Sequence, residues 1–237
     1  MPFYRRLQPV RALSFDLDDT LYDNLPVLRR AEQRLGDFLA KAHPTLATVT
    51  AEHWQQHKQS VLMERPQLRH CSTEWRRHAL SSGLAALGWD EGRAAALADE
   101  ALEHFLHWRS EIRVPAATLV LLRDLAKRYP LAVISNGNAD VARFMTEIPF
   151  AAVLRAGPDG PQKPAPDLFW RCCEQLAITP SQLLHVGDHP ETDVAGAVAA
   201  GCQAIWLNPR PDGRPRPPGT SLPTATIASL EALRLML

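Results

Sequence analysis

Four aspartates follow an apolar run near the start of the chain, in the segment ALSFDLDDTLYD at positions 12–23. They are Asp16, Asp18, Asp19 and Asp23. Because like charges repel, such crowding is unfavourable unless a cation, a bound proton or solvent relieves it. The spacing alone allows two interpretations, an acidic turn that leads into a helix or a site built for a cation.

Two later apolar runs also end in residues with useful chemistry. Ser135 and Asn136 follow LAVI, and Asp188 follows LLHVG. Such runs are typical of buried parallel strands, whose carboxyl ends lie along one edge of a sheet, so we expect these residues to meet the acidic segment in one crevice. Lys163 precedes a predicted helix and can add a positive charge there. Carboxylates, a hydroxyl and an ammonium around one point suit Mg²⁺ and a phosphoryl group.

The elements that must position these residues alternate along the chain. Further apolar runs at 151–157 and 203–208 indicate two more strands, and helical patterns occupy 116–129, 166–177 and 192–201, with Pro166 at a first helical position. This alternation predicts an α/β fold with a doubly wound parallel sheet. A Pro-rich, basic segment at 208–223 is predicted to be a solvated loop, and the pattern at 226–237 predicts a last helix.

The region from 24 to 110 differs from the rest because it carries amphipathic helical patterns and hardly any strand signal. We interpret it as an all-helical insertion into a catalytic core made of residues 1–23 and 111–237. Ligands of open α/β folds bind at the carboxyl edge of the sheet, so the insertion is expected to act as a cap over that edge.

Composition excludes several classes of partner. Lysine and arginine number 26, as do aspartate and glutamate, so no overall charge recruits nucleic acid or an anionic membrane. The four cysteines lack metal-like spacing and are predicted to be reduced. With no leader-like or membrane-spanning run, the sequence predicts a cytoplasmic protein with a small-molecule ligand. It makes no prediction of oligomeric state.

Four short motifs in order resemble those of the haloacid dehalogenase-like phosphohydrolase superfamily, in its subfamily I with a helical cap. They are DLDDT at 16–20, SNG at 135–137, KPAP at 163–166 and GDHPETD at 187–193. The resemblance implies a Rossmann-like core with a helical cap inserted after the first motif. It also implies a Mg²⁺-dependent phosphomonoester hydrolase.

On this resemblance Asp16 attacks phosphorus and carries an aspartyl-phosphate intermediate. Asp18 protonates the leaving oxygen and later deprotonates the attacking water. Ser135 and the backbone of Asn136 bind phosphoryl oxygens, while Lys163 pairs with both phosphate and nucleophile.

The same resemblance implies that Asp16, Asp188 and the backbone carbonyl of Asp18 bind Mg²⁺. Three further motif residues, Thr20, Gly187 and Asp193, are expected to support the site. Asp19 and Asp23 have no part in this scheme, and we expect them to serve in a loop or at a helix start.

Longer stretches, among them FDLDDTLYDN and FLHWRSEIRVP, are similar to a bacterial branch of the family. Its members dephosphorylate 5-amino-6-(5-phospho-D-ribitylamino)uracil in riboflavin biosynthesis, with flavin mononucleotide (FMN) as a further substrate. A general sugar-phosphate or nucleotide phosphatase is the main alternative. A dehalogenase would not need Asp18, and a receiver-type signalling domain would need neither Asp18 nor a cap.

Overall fold

The computed structural model describes residues 1–237 and divides into two compact units. The first, called here the sheet unit, comprises residues 1–24, 113–137 and 141–237. The second, the helical unit, comprises residues 25–112 and 138–140.

The sheet unit is built on six parallel strands in the order β3-β2-β1-β4-β5-β6. The strands are β1 (Ala12–Phe15), β2 (Leu131–Ser135), β3 (Phe150–Arg155), β4 (Leu183–Gly187), β5 (Gln203–Leu207) and β6 (Ala225–Ile227). Every residue of β1, β2, β4 and β5 is buried, as expected when both faces of a parallel sheet are covered. The predicted doubly wound α/β fold is therefore confirmed.

The helical unit contains four α-helices. They are α1 (Leu25–Ala42), α2 (Ala51–Glu64), α3 (Ser72–Ala86) and α4 (Glu91–Arg109). Along α1, Val27, Ala31, Leu35 and Leu39 recur at three- and four-residue spacing and are all buried, which is the stripe expected of an amphipathic helix. Two helices have side-chain N-caps: Thr50 for α2 and Asp90 for α4.

Three α-helices belong to the sheet unit: α5 (Ala116–Ala126), α6 (Asp167–Gln175) and α7 (Gly196–Ala199). Helix α6 begins one residue later than predicted, because Pro166 is its N-cap. The helix predicted at 192–201 is largely replaced by a π-helical turn, Pro190–Ala195, that leads into the short α7.

The prediction of a last helix at 226–237 was wrong. Residues Ala225–Ile227 form β6, which pairs with β5, and only Leu230–Leu235 are helical, as a 3₁₀-helix. The side chains of Ala225 and Ile227 are fully buried. Pairing at the sheet edge thus overrides a local helical pattern, because it satisfies backbone groups and buries apolar side chains together.

All four cysteines are free thiols; Cys172, Cys173 and Cys202 are buried, and Cys71 is partly exposed. No helix of the structure combines the length and the apolar character that crossing a membrane requires.

Candidate active site

The predicted catalytic residues follow adjacent strands of the sheet unit. Strand β1 lies between β2 and β4, so Asp16 at the end of β1 stands beside Ser135, the last residue of β2, and Asp188, which follows β4. Asp16, Ser135 and Asp188 are all buried. Their convergence follows from the parallel topology, since the carboxyl ends of all three strands lie on the same edge.

Lys163 is the centre of the polar contacts. Its ammonium Nζ donates to Asp16 Oδ1 at 2.7 Å, to Asp193 Oδ1 at 2.6 Å and to the carbonyl oxygen of Ile134 at 2.7 Å. The three donors of an ammonium are all used in this way. The Lys163 side chain is only 1% exposed, so these ion pairs are poorly screened and fix the nucleophile candidate in place.

The side chain of Asn136 holds the backbone of Lys163. Its Nδ2 donates to the carbonyl oxygen of Lys163 at 2.9 Å, and its Oδ1 accepts from the Lys163 amide at 2.8 Å. From sequence, Asn136 was expected to act only through its backbone, so this positioning role of its side chain was missed. Ser135 Oγ accepts from the amide of Gly137 at 3.0 Å, which orients the hydroxyl at the strand end.

Asp193 is held from three sides. Besides Lys163, it contacts His185, whose Nε2 lies 3.3 Å from Oδ1, and its Oδ2 accepts from the amide of His189 at 2.9 Å. A Cβ placed on Gly187 would stand 2.3 Å from Asp193 Cγ, so only glycine fits there. Gly187 therefore leaves room for the Asp193 side chain, and the Asp193 carboxylate pairs with Lys163.

Burial and charge perturb every titratable group of this cluster. Burial raises the pKa of Asp16 well above its usual value, and Lys163 opposes that rise. For Lys163 burial alone would lower the pKa, but Asp16 and Asp193 raise it to about 12. Burial also works against ionisation of Asp193, yet Lys163 and His185 hold its pKa far below the usual range. Burial and then Asp193 raise the pKa of Asp188 to about 7.

A group of carboxylates could hold a metal ion here. One oxygen from each of Asp16, Asp188 and Asp193 lies within 4.8 Å of the others, and all three residues are buried. Carboxylate oxygens are the ligands that Mg²⁺ prefers, so the donor set fits that ion. Thr20 Oγ1 lies 3.5 Å from Asp16 Oδ2 and 3.4 Å from Asp188 Oδ1, so its single hydrogen can be donated to either carboxylate.

Asp18 is half-buried, and its charge adds to the rise in the pKa of Asp16. Its Oδ1 accepts a 2.6 Å hydrogen bond from the hydroxyl of Tyr22, which is itself 1% exposed. Asp19 adopts a left-handed conformation with φ of 59°, and its side chain accepts from the Asn24 amide at 3.0 Å. The predicted loop role of Asp19 is thus confirmed.

Two arginines of the Pro-rich segment contact the site. Arg216 Nε donates to Asp188 Oδ2 at 2.7 Å, and Arg210 Nη1 donates to Asp19 Oδ2 at 3.0 Å. The sequence indicated only a solvated basic loop, so both contacts were missed. The one available signal was the cluster of arginines between prolines, which does not say where the side chains end.

His189 does not reach the carboxylates through Nδ1, which instead accepts from the amides of Glu191 and Thr192.

A family model described as haloacid dehalogenase-like hydrolase matches residues 10–201. The chain belongs to this family. The resemblance drawn from the four motifs is thereby confirmed, and the protein is a hydrolase of the haloacid dehalogenase-like type.

Individual members of the family differ in their named activities. The 5-amino-6-(5-phospho-D-ribitylamino)uracil phosphatase YigB of Escherichia coli (strain K12) is 42% identical over 209 residues, 88% of each chain. The N-acylneuraminate-9-phosphatase of Homo sapiens is 28% identical and covers 85% of this chain and 84% of its own. Among solved structures, a 2-haloacid dehalogenase from Pseudomonas syringae pv. Tomato DC3000 matches with a TM-score of 0.87 and 38% identity, over 95% of this chain and 97% of its own.

Proposed function

We propose that this protein is a Mg²⁺-dependent phosphomonoesterase that works through a phosphorylated Asp16. The observation that carries the proposal is the pair of carboxylates at the end of β1: Asp16 is buried against Lys163, while Asp18 is half-buried and accepts a hydrogen bond from the hydroxyl of Tyr22. A nucleophile and a separate acid–base group are what phosphoryl transfer to and from a carboxylate requires.

In the first step a carboxylate oxygen of Asp16 forms a bond to phosphorus as the ester oxygen departs. Asp18 gives its proton to that departing oxygen, so the alcohol leaves neutral. In the second step Asp18 takes a proton from water, whose oxygen attacks phosphorus and releases Asp16. Lys163, fixed by Asn136, orients Asp16 throughout.

Phosphoryl oxygens are bound by the Ser135 hydroxyl and the Asn136 backbone amide. The ammonium of Lys163, whose three donors are already engaged by protein oxygens, attracts them through its charge. Ser135 Oγ accepts from an amide at 3.0 Å, which leaves its hydrogen to point elsewhere. The metal would be held by Asp16, Asp188 and the carbonyl oxygen of Asp18. Mg²⁺ bound there supplies positive charge that offsets the negative charge of the transferring group.

For the substrate we propose 5-amino-6-(5-phospho-D-ribitylamino)uracil, with FMN as a second substrate. The support is the relative of that name, which is 42% identical over 88% of each chain. The general sugar-phosphate or nucleotide phosphatase is the alternative within the same chemistry. We assign catalysis to the sheet unit, where every candidate catalytic residue lies, and substrate selection to the helical cap near residues 24–110.

A 2-haloacid dehalogenase is the second candidate, because a solved structure of that name is 38% identical. The leaving group in dehalogenation is a halide rather than an oxygen that must be protonated, so Asp18 would have no role as a general acid. The reaction also differs in its atoms: water would attack the carboxyl carbon of an Asp16 ester rather than phosphorus.

The test is a parallel measurement of kcat/KM on the uracil intermediate, FMN, nucleoside monophosphates and small sugar phosphates, with chloride release from 2-chloropropionate as the competing assay. Phosphate release stopped by EDTA and restored by Mg²⁺ supports the proposal. If sugar phosphates exceeded the flavin-pathway compounds tenfold, about 1.4 kcal/mol of discrimination, the substrate assignment would be wrong. Chloride release without phosphatase activity would overturn the phosphatase itself.

A further inference from the structure

The loop that follows β5 returns to the carboxyl edge of the sheet. Its base is closed by Asn208, whose Nδ2 donates to the carbonyl oxygen of Arg216 at 3.1 Å and whose Oδ1 accepts from the Arg216 amide at 2.8 Å. Inside it a tight turn is closed by the Gly213 amide on the carbonyl oxygen of Arg210 at 2.8 Å. The hydrogen bonds from the Asn208 side chain to the Arg216 backbone thus fix the position from which the Arg216 side chain extends.

From that position Arg216 reaches a carboxylate proposed to bind the metal. Its Nε lies 2.7 Å from Asp188 Oδ2, and Asp188 is 3% exposed. The Arg216 side chain is 28% exposed, so one end of the pair is shielded from water and the other is accessible. A charge-assisted hydrogen bond of this length is stronger than the exposed surface ion pairs of the molecule.

Both oxygens of Asp188 are engaged by the chain itself. Oδ1 has only the long 3.4 Å contact with Thr20, whereas Oδ2 has the short contact with Arg216. A divalent cation on this carboxylate must therefore share it with a guanidinium that is always charged. Like charges held close together in a partly buried site raise each other's free energy.

We propose that Arg216 is a built-in counter-ion of the metal site, which neutralises Asp188 and competes with Mg²⁺ for it. The inference rests on the proposed Mg²⁺ dependence. The loop thereby sets the Mg²⁺ concentration at which the enzyme is half-saturated, and weakens the affinity that the carboxylates alone would have. Loss of Arg216 should therefore strengthen Mg²⁺ binding, whereas loss of a residue that merely orients a metal ligand weakens it.

The experiment is calorimetric titration of the purified full-length protein with MgCl₂, without substrate. Arg216→Gln should lower the Kd for Mg²⁺ about tenfold, and Arg216→Lys should stay near the wild-type value because it keeps the charge. The matched control is Arg214→Gln in the same loop. The Arg214 side chain is 70% exposed, and its Nε lies 3.9 Å from Asp212 Oδ2. The Kd of this variant should not change.

An unchanged or higher Kd in Arg216→Gln would overturn the inference. Arg216→Met serves as a second neutral variant with the same expected tightening, so that poor folding of one protein does not decide the result. Asp188→Asn, which removes a ligand, should abolish binding. If the wild-type protein bound no Mg²⁺, the proposed function would fail and this inference with it; if it bound Mg²⁺ but neither neutral variant bound it more tightly, only the inference would fail.

Discussion

The hydroxyl of Tyr22 donates a 2.6 Å hydrogen bond to Asp18 Oδ1, and the tyrosine ring is fully buried edge-on against Phe144. Tyr22 follows Asp18 by four residues, so the chain just after the first motif supplies the group that orients the acid–base candidate. The Asp18 carboxyl must donate a proton to the leaving oxygen and later accept one from water. A hydrogen bond that holds it in one orientation helps both steps, because misplaced groups catalyse poorly.

Tyr22→Phe should therefore lower kcat about tenfold, the equivalent of one charge-assisted hydrogen bond, with a smaller change in KM. The ring stays, so the contact with Phe144 and the thermal midpoint should be nearly preserved. Steady-state kinetics on p-nitrophenyl phosphate measure the effect, and Tyr129→Phe, outside the site, is the control. An unaltered kcat would show that Asp18 needs no anchor.

Asn136 is predicted to act through Lys163 rather than on substrate with its side chain. Asn136→Ala removes both hydrogen bonds to the Lys163 backbone and should cost about tenfold to a hundredfold in kcat/KM. In a protein that already carries Lys163→Met, the same change should cost far less, because there is no ammonium left to position. Equal costs in the two backgrounds would mean that Asn136 acts independently.

Gly187→Ala should disturb the site by displacing the Asp193 side chain. The new Cβ would stand 2.3 Å from Asp193 Cγ, so Asp193 must move and Lys163 loses a 2.6 Å partner. We expect kcat/KM to fall about a hundredfold, as typical for a displacement near 1 Å, together with a lower thermal midpoint. Gly36→Ala is the control, since nothing lies within 4 Å of its added Cβ; normal activity in both variants would contradict the packing argument.

His185 should make stability depend on pH. Burial lowers its pKa in the folded protein; Asp193 opposes this and Lys163 adds to it, whereas the unfolded chain titrates near the ordinary value of about 6.5. As pH falls below about 6.5 the unfolded state takes up the proton first, so stability is lost, with a limiting slope of about 1.4 kcal/mol per pH unit.

Urea unfolding in EDTA between about pH 5 and 8 measures this loss, since the window spans the ordinary histidine value. The raised pKa values of Asp16 and Asp188 act in the opposite direction, so His185 is tested by comparing the wild-type protein with His185→Gln at each pH. The free energy of unfolding of the wild type minus that of the variant should fall as pH drops below about 6.5. If this difference did not change with pH, His185 would make no contribution to the pH dependence.

Prediction from sequence succeeded where one local pattern decides the structure. Buried strands such as Leu131–Ser135 and amphipathic helices such as Leu25–Ala42 lie where periodicity placed them, and the parallel topology then brings Asp16 and Asp188 together. It failed at Ala225–Ile227, where pairing with a distant strand outweighs a helical pattern. It also missed Arg216, because the direction of that side chain depends on a loop closed by Asn208.

The most direct test of the account is whether Asp16 becomes phosphorylated during turnover. Protein mixed with substrate and Mg²⁺ and quenched in acid within one turnover should yield one peptide, containing Asp16, that is heavier by one phosphoryl group. Borohydride should convert that residue to homoserine, and Asp16→Asn should yield neither product. Phosphate release at the normal rate with no modified Asp16, or undiminished turnover by Asp16→Asn, would contradict nucleophilic catalysis by this residue.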